Sequence, residues 1–272
     1  MQRYKFYQYN HPLPPNRKSQ IVNRKSQIVN RKSQMNGKLY LIPTPIAEGE
    51  FGNFFPAFNA EIINHIDHYI VEELRTARRF LRYAGIAKRI DELTFFELNE
   101  HTQGVELNDY LQPCLDGHNV GLMSEAGVPC VADPGSKAVE KAHQLGIEVV
   151  PLIGPSSLIL ALMGSGMNGQ NFVFHGYLPV EQYDREKRLK AIESVAVKTG
   201  QTQMFIETPY RNRRMADSIC KVLQPATRVC IASGLTSENA LLKTQSVSKW
   251  RKYFEDERNA LDKRPCIFMI GR

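Results

Sequence analysis

The sequence has no long apolar run and no paired cysteine motif, and each absence excludes a class of protein. Its five cysteines are scattered, odd in number and without a C-x-x-C pair, which argues against a disulfide framework and a structural zinc site. The longest apolar stretch, 149–163, is interrupted by proline, glycine and serine. It is both too short and too interrupted to span a bilayer. The N-terminus lacks the apolar region of a secretion signal. We therefore expect a cytoplasmic protein without a membrane segment or a metal.

Acidic residues are absent from the first 34 positions, which contain eight lysines and arginines. The whole chain of 272 residues has 35 basic and 28 acidic side chains, a net charge of +7. Without the first 34 residues, 27 basic residues stand against 28 acidic ones, a net charge of −1. The basic excess belongs to the N-terminal segment, so the rest of the chain offers only a weak electrostatic argument for binding RNA.

That N-terminal segment is a repeat of NRKSQIV, complete from Asn16 and Asn23 and begun again at Asn30. Each complete copy has one adjacent apolar pair, so the seven-residue period does not predict a stable coiled coil. We predict that residues 1–34 form a disordered tail. Because a strand-like sequence begins almost directly after Met35, we also hypothesise that Met35 is the native start and that the tail is not translated natively.

Strand and helix signals alternate from residue 38 to about residue 150, as expected for a parallel α/β sheet. Longer strands follow, so we predict an N-terminal α/β domain at 35–150 and a C-terminal α/β domain with a mixed sheet at 151–272. The predicted strands are 39–42, 69–71, 95–98, 120–123, 147–150, 172–177, 203–207, 228–232 and 266–270. The predicted helices are 61–68, 76–85, 105–115, 136–145, 186–197 and 213–223, with one more beginning at the serines 156 and 157.

The loop sequence GLMSEAGVPCVADPG at 121–135 contains the clearest sign of a ligand site. A buried strand ends there in a turn of small residues with a single acid, Glu125. Proteins with α/β sheets bind ligands at such strand ends, since small residues let the backbone approach the ligand closely. A tight turn between two elements explains the pattern about equally well.

Three other polar features have similarly divided interpretations. Ser156 and Ser157 precede an apolar helix, where serine serves as an N-cap or contacts a polar ligand. Glu72 and Glu73, close to Arg75, form either a paired-charge site or the start of a helix. Basic residues at 75–89 and 211–214 suit phosphate binding or a solvated surface. The G-x-G-x-x-G at 164–169 follows a helix and precedes a strand, so we treat it as a chance match.

Six motifs occur in a consistent order along the chain. They are YLIPTPI at 40–46, EELR at 72–75, SEAGVP at 124–129 followed by DPG at 133–135, IGPSS at 153–157, FHGYLP at 174–179 and FIETPYR at 205–211. Together they resemble the tetrapyrrole-methylase superfamily of S-adenosylmethionine-dependent methyltransferases. The branch that methylates a cytidine ribose 2′-oxygen in small-subunit ribosomal RNA is the most similar, and the resemblance extends over residues 38–271.

The resemblance implies a homodimer of two α/β domains, with S-adenosylmethionine bound in the cleft between them. It assigns the donor contacts to loops of both domains and to the last strand. These residues are Pro43, Thr44, Pro45, Ser124, Glu125, Ala126, Gly127, Val128, Ser156, Ser157, Ile206, Glu207, Pro265 and Ile267. For catalysis on the substrate side, we assign Glu73 and Arg75. No metal is implied.

Departures from the family pattern concern the methyl acceptor more than the donor. Glutamate replaces the family's aspartate at Glu73 and Glu125, which keeps the charge, so we expect donor binding to be retained. Leu74 stands where the signature has threonine, and Ser237 stands where the RNA-methylating branch has lysine. Ribose methylation of ribosomal RNA is the main expectation. The alternatives are methylation of a tetrapyrrole-like small molecule, and donor binding without catalysis.

Overall fold

The structure of the protein, a computed structural model, describes residues 36–47, 54–98, 102, 106–256, 261 and 264–272. The repeat tail and the hypothesis about Met35 lie outside these residues. No helix in the described ranges is long and apolar enough to cross a membrane. Within the same ranges, no three His, Cys, Asp or Glu side chains are grouped so that they could hold a metal ion.

The first sheet consists of short apolar strands that alternate with helices, and all of its strand pairs are parallel. Its strands are β1 (Leu39–Ile42), β2 (His68–Val71), β3 (Thr94–Glu97), β4 (Val120–Met123) and β5 (Val149–Pro151). The helices between them are α1 (Ala57–Ile63), α2 (Leu74–Tyr83), α3 (Glu106–Leu115) and α4 (Gly135–Gln144). The spatial order is β3-β2-β4-β1-β5, so the carboxyl ends of β1, β2 and β4 lie side by side.

Both faces of this sheet are covered by helices. Tyr69 and Val71 of β2 pack with α1 and α2 on one face, whereas Ile70 packs with α3 and α4 on the other. Successive side chains of a strand point to opposite faces. A strand whose two faces are both buried is therefore apolar along its whole length. For this reason apolar and polar residues do not alternate in these segments.

The second sheet is mixed, with one parallel pair and three antiparallel pairs. Its strands are β6 (Phe172–Tyr177), β7 (Thr202–Glu207), β8 (Arg228–Ser233), β9 (Leu241–Ser246) and β10 (Cys266–Gly271), in the order β6-β7-β10-β8-β9. Its helices are α5 (Ser157–Ser165), α6 (Gln182–Thr199), α7 (Asn212–Val222) and α8 (Val247–Glu255). Trp250 of α8 is fully buried beside Phe205 and Phe268, and its indole N–H donates to the Val229 carbonyl at 2.9 Å.

The predicted fold class is confirmed, since the chain forms a parallel α/β sheet followed by a mixed one. The predicted domain boundary at 150/151 stays a prediction. The last strand of the first sheet ends at Pro151, and residues 36–272 form one compact unit. Most other predicted elements agree with the observed ones within a few residues at each end.

Two predicted elements are misplaced. The helix predicted at 61–68 is α1, which begins four residues earlier, at Ala57, and ends at Ile63. Pro56, with φ −56° and ψ 141°, occupies its N-cap, and the fixed φ of proline is compatible with this extended conformation. The strand predicted at 147–150 begins two residues later, because the Ile147 N–H donates to the Ala142 carbonyl and closes the end of α4.

Two elements of the second sheet are missing from the prediction. Strand β9 has the sequence LLKTQS and pairs only with β8 at the sheet edge, so few of its side chains are buried and no apolar pattern marks it. Helix α8 buries Val247, Trp250 and Phe254. Their spacing of three and four residues is a helical signal that the sequence did contain.

Candidate functional site

The loops after β1, β2 and β4 converge because these strands are paired in register. Ile42 and Val71 both align with Met123, the last residue of β4. Beyond the strand ends, Thr44 and Gly127 join two of the loops: each N–H donates to the other residue's carbonyl, at 2.9 and 3.1 Å. Gly127 has φ +81°, which glycine adopts without steric cost. This bridge fixes the loop that the sequence singled out.

A cavity of about 610 Å³ opens beside this bridge, and both sheets line it. The first sheet contributes Glu72 and the loop 124–128. The second contributes Glu207 at the end of β7, and the segments 232–235 and 264–267. Because the N-terminal end of α5 also lines it, the cavity combines a helix start, a small-residue loop and the edges of two sheets.

Four carboxylates line this cavity. Glu207 is described below, and the other three are Glu72, Glu125 and Asp133. Burial raises the pKa of Glu72, an effect that the N–H of Glu125 partly offsets and the nearby charges of Asp133 and Glu125 reinforce. That N–H lies 3.4 Å from Glu72 Oε2. Burial also raises the pKa of Asp133, although its carboxylate accepts hydrogen bonds from the N–H groups of Cys130 and Gly135. Glu125 Oε1 accepts from the Thr76 hydroxyl at 2.5 Å. Glu72 therefore has the fewest short hydrogen bonds of the three.

Residues in unusual backbone conformations flank the cavity. Cys130, Ala132 and Thr236 have φ values of 69°, 64° and 72°, in the left-handed region that non-glycine residues rarely adopt. Such a conformation costs roughly 1–2 kcal/mol per residue. Strain of this kind concentrates at binding and catalytic sites, and here it occurs on both the loop 130–133 and the loop after β8.

The side chain of Glu207 forms a buried part of the cavity wall. It is 2% exposed and accepts from Arg211 Nε at 2.7 Å and from the Thr208 N–H at 2.7 Å. Arg211 Nη2 lies 2.7 Å from the same carboxylate oxygen. A buried carboxylate needs such partners, because an uncompensated buried charge is costly. This ion pair keeps the end of β7 and the start of α7 together.

Most of the predicted donor-binding residues line this cavity, and three do not. Those that do are Ser124, Glu125, Ala126, Gly127, Val128, Ser156, Ser157, Ile206, Glu207, Pro265 and Ile267. Thr44 and Pro45 line a second cavity, described below. Pro43 lines neither and packs against Gly154, where an added Cβ would lie 2.2 Å from Pro43 Cβ. Pro43 therefore supports the fold of the loop, and its assignment as a donor contact stays a prediction.

The predicted catalytic residues Glu73 and Arg75 line neither cavity. Glu73 is the N-cap of α2: its carboxylate accepts from the N–H groups of Arg75 and Thr76 at 2.9 and 2.7 Å. These two bonds lower its pKa. The adjacent Glu72 faces the cavity instead, which sequence reasoning missed. The N-cap preference for a side-chain acceptor was a signal that could have separated the two acids. The catalytic assignment of Glu73 and Arg75 stays a prediction.

Sequence reasoning also missed contributions from Asp133 and Arg264. Ser237, the position where lysine was expected, lines the cavity. Its hydroxyl donates to the Gly234 carbonyl at 2.7 Å and lies 3.3 Å from Arg264 Nη1. Arg264, which is distant in sequence, therefore places a positive charge beside position 237, where the resemblance led us to expect lysine.

A second cavity, of about 550 Å³, adjoins the same loops. It shares four lining residues with the first cavity: Ile46, Ala47, Ser124 and Glu125. Its remaining lining comes from the loop after β1 and from one face of α2. These residues are Thr44, Pro45, Phe54, Thr76, Ala77, Arg79, Phe80 and Tyr83.

The arrangement of the two sheets is that of known methyltransferases. The solved structure of the methyltransferase CobJ matches with a TM-score of 0.57 and 16% identity, over 87% of this chain and 94% of that one. Cobalt-precorrin-4 methyltransferase CbiF matches with a TM-score of 0.56 and 12% identity, over 90% of this chain and 98% of that one. At these identities the matches establish the fold, which is that of the tetrapyrrole methylases.

No family model matches the chain. Curated proteins of similar sequence do match it. Proteins named ribosomal RNA small subunit methyltransferase I are 30% identical in Escherichia coli O157:H7, 31% in Vibrio cholerae and 37% in Mesorhizobium japonicum. The matches cover 82%, 73% and 66% of this chain, and 74%, 65% and 56% of the relatives. The chain belongs to the ribosomal RNA small subunit methyltransferase I family and is a methyltransferase.

Proposed function

We propose that this enzyme transfers the methyl group of S-adenosylmethionine, bound in the first cavity, to a ribose hydroxyl of small-subunit ribosomal RNA. The observation that carries the proposal is the first cavity itself. It lies where the carboxyl edge of a parallel sheet meets a second sheet, and α/β proteins bind their ligands at this edge. The names of the curated relatives support the choice of RNA as acceptor.

The residues of the first cavity suit the donor. Its volume of about 610 Å³ lies within the roughly 300–1,000 Å³ of small-molecule sites. A side chain at Gly127 would be crowded, since an added Cβ would lie 3.1 Å from Ile46 Cγ2, and the φ of +81° also favours glycine. The carboxylate of Glu125 complements the donor's positive groups, and the start of α5 at Ser157 suits its carboxylate. Ile206 and Ile267 supply apolar surface for the adenine.

When bound, S-adenosylmethionine supplies an electrophilic methyl group, so the chain must hold the accepting oxygen in line and remove its proton. We assign proton removal to Glu72. Its carboxylate lines the cavity and, among the residues that the structure describes, accepts one hydrogen bond, the long one from the Glu125 N–H. Burial raises its pKa, which makes it a stronger base. The new O–C bond forms as the S–C bond breaks, and the hydroxyl proton passes to the Glu72 carboxylate.

Donor binding is tested by calorimetry with S-adenosylmethionine and by substitution of Glu125. Glu125→Ala removes a carboxylate from the cavity and a partner from Thr76, so we expect the Kd of the donor to rise about tenfold. Glu181→Ala is the control, because Glu181 is exposed at the N-cap of α6, beside the other sheet, and its side chain makes no capping bond. An unchanged affinity in Glu125→Ala would remove this loop from the donor site.

The acceptor is tested by mapping 2′-O-methyl groups on small-subunit ribosomal RNA. We expect a deletion strain of the native host to lack one methylated ribose, and purified enzyme with S-adenosylmethionine to restore it on small subunits from that strain. The readout is primer extension or mass spectrometry of the RNA. Identical maps with and without the enzyme would contradict the RNA assignment, whatever the donor affinity.

We also propose that the enzyme is a cytoplasmic homodimer. Exposed apolar side chains support the dimer: Ile153, just before α5, is 79% exposed, Met163, near the end of α5, is 74% exposed, and Phe58 of α1 is 61% exposed. Asn59 Nδ2 donates to the Ile153 carbonyl at 2.7 Å, so α1 and the segment before α5 form one surface. Burial of that surface in a dimer would be favourable. Light scattering decides the matter, and the mass of a single chain would exclude the dimer.

A further inference from the structure

We propose that the second cavity and the adjoining arginines of α2 bind the acceptor strand as single-stranded RNA. In this arrangement the cavity receives one unstacked base, and the arginines contact the phosphates on either side. The inference rests on the proposed function and deepens it, because it assigns a place to the acceptor that the fold and the relatives' names do not give.

The lining of the second cavity is suited to a base. Phe54, Phe80 and Tyr83 line it, together with Pro45 and other apolar residues. Phe80 is buried, whereas Tyr83 is 50% exposed, so aromatic surface extends from the interior of the cavity to solvent. Aromatic side chains stack with any base, and proteins that bind single strands use them in this way. The cavity is therefore built for a flat, partly apolar group.

The arginines lie along α2 next to the cavity. Arg75, Arg79 and Arg82 are spaced four and three residues apart, which places them on one face of the helix. Arg79 itself lines the cavity. The helix has four arginines and no acid, but Arg78 lies over the ring of Phe95 at 5.4 Å and is engaged there. The arginine face consists of the other three.

The arginine face is available to a ligand. Arg75, Arg79 and Arg82 are exposed, and their guanidinium groups form no ion pair with any residue in the described part of the chain. Arginine contacts phosphate with a planar fork of donors, and contacts of this kind position a protein on a nucleic acid. The near-neutral charge of the body conceals this local patch.

The two cavities lie close enough for methyl transfer. They share the wall formed by Ile46, Ala47, Ser124 and Glu125, and the hydrogen bond from Thr76 to Glu125 joins α2 to that wall. A nucleotide in the second cavity would therefore lie directly beside the donor and on the same sheet edge as Glu72. A site for the acceptor elsewhere on the surface would lack this adjacency.

The test compares two double variants that remove the same charge. Arg79→Gln with Arg82→Gln removes two arginines of the face, and Lys187→Gln with Lys190→Gln removes two exposed lysines of α6. Binding of a fluorescein-labelled, twelve-nucleotide oligocytidylate RNA is measured by anisotropy over a range of salt concentrations. Loss of two phosphate contacts should reduce the slope of log affinity against log salt by about 1.4. We expect Kd to rise at least tenfold in the arginine variant and less than twofold in the lysine variant.

A third variant tests the cavity itself. Tyr83→Leu removes the aromatic ring and keeps an apolar side chain, so we expect affinity for the same RNA to fall about tenfold with an unchanged salt slope. S-adenosylmethionine affinity, measured in parallel, should stay at the wild-type value in all three variants.

Equal affinities and slopes for the arginine and lysine variants would overturn the assignment of this surface. If the wild-type enzyme still restored the methylated ribose, the proposed function would stand and only the assignment of the RNA to this surface would fail. If the wild-type enzyme bound donor but not the RNA, the surface assignment would also fail, and the cavity would be left to an apolar peptide or a small molecule. An unchanged methylation map with intact arginine-dependent binding would instead refute the proposed function alone.

Discussion

Replacing Glu72 by glutamine should lower kcat for methyl transfer by roughly 10²- to 10⁴-fold, the usual contribution of a general base. Glutamine has the same shape, and its amide oxygen can still accept the long hydrogen bond from the Glu125 N–H. What it cannot do is take up the hydroxyl proton. Donor affinity, measured by calorimetry, should change far less than kcat, since only one of the four carboxylates of the cavity is altered.

Glu73→Gln is the matched control, because it makes the same chemical change one residue along the chain. Glu73 accepts from two N–H groups of α2 as its N-cap, so this variant should have a lower thermal midpoint and a kcat close to that of the wild type. A reversal of the two phenotypes, with Glu73→Gln inactive and Glu72→Gln active, would restore the assignment made from the sequence and refute the one made from the cavity.

Because the pKa of Glu72 is raised, we expect its ionisation to have opposite effects on activity and on stability. The base must be ionised, so kcat should fall as the pH is lowered through the raised pKa. Ionisation costs the folded state more than the unfolded state, because burial opposes the charge. The difference in pKa between the folded and unfolded states therefore stabilises the folded state below the ordinary pKa of 4.5. This contribution is lost as the pH rises through the raised pKa of the folded state.

Thermal unfolding of wild type and Glu72→Gln at pH 4 and pH 7.5 measures this second effect. Glutamine has no charge to bury, so the variant should be the more stable of the two at the higher pH, and the difference should shrink at the lower pH. A variant less stable than the wild type at pH 7.5 would mean that the Glu72 carboxylate is stabilised in the folded protein, contrary to its burial.

Arg211→Ala should destabilise the protein by about 3 kcal/mol, because it leaves the Glu207 carboxylate buried without its charged partner. For a domain of this size, that loss lowers Tm by roughly 6–12 °C. Urea unfolding gives the free energy directly. Glu207 lines the first cavity, where we propose that the donor binds, so donor affinity should fall in parallel.

Arg213→Ala is the control for this change, since it breaks another ion pair of the same spacing in the same region. Arg213 and Asp217 are both more than half exposed, with Nε and Oδ1 3.1 Å apart, so the loss should be about 0.5 kcal/mol or less. In Arg211→Ala, the further change Glu207→Gln should recover much of the stability, because it removes the unpaired charge. Equal losses in Arg211→Ala and Arg213→Ala would show that burial does not strengthen the Glu207 pair.

The sequence predicts the fold well where a residue's environment depends on its near neighbours. The strand 39–42 and the loop 121–135 were found because an apolar run that ends in small residues has few other structural meanings. By contrast, β9 depends for its existence on pairing with β8, and its own residues give no period. The sequence of β9 therefore could not predict a strand at this position, which is set by its pairing with β8 in the folded sheet.

The candidate site was predictable to the level of its loops and not to the level of its side chains. Motif order placed the 124–128 loop and Ile206–Glu207 at one cleft, and both line it. Which of two adjacent glutamates faces that cleft depends on where α2 begins, since the N-cap takes one of them. The basic residues at 75–89 suit phosphate binding or a solvated surface, but the cavity beside α2 depends on Thr44, Pro45 and Phe54, which are distant from the helix in sequence.

The shared wall between the two cavities has a thermodynamic consequence. Ile46 and Glu125 belong to both, and the Thr44–Gly127 bridge ties the loops that contain them. A ligand that shifts this wall from one side changes the free energy of binding on the other side. Linkage requires the change to be reciprocal, so whatever factor the donor contributes to RNA affinity, the RNA contributes to donor affinity. The coupling between the two cavities is thus a property of the wall that they share, and it has the same size whichever ligand binds first.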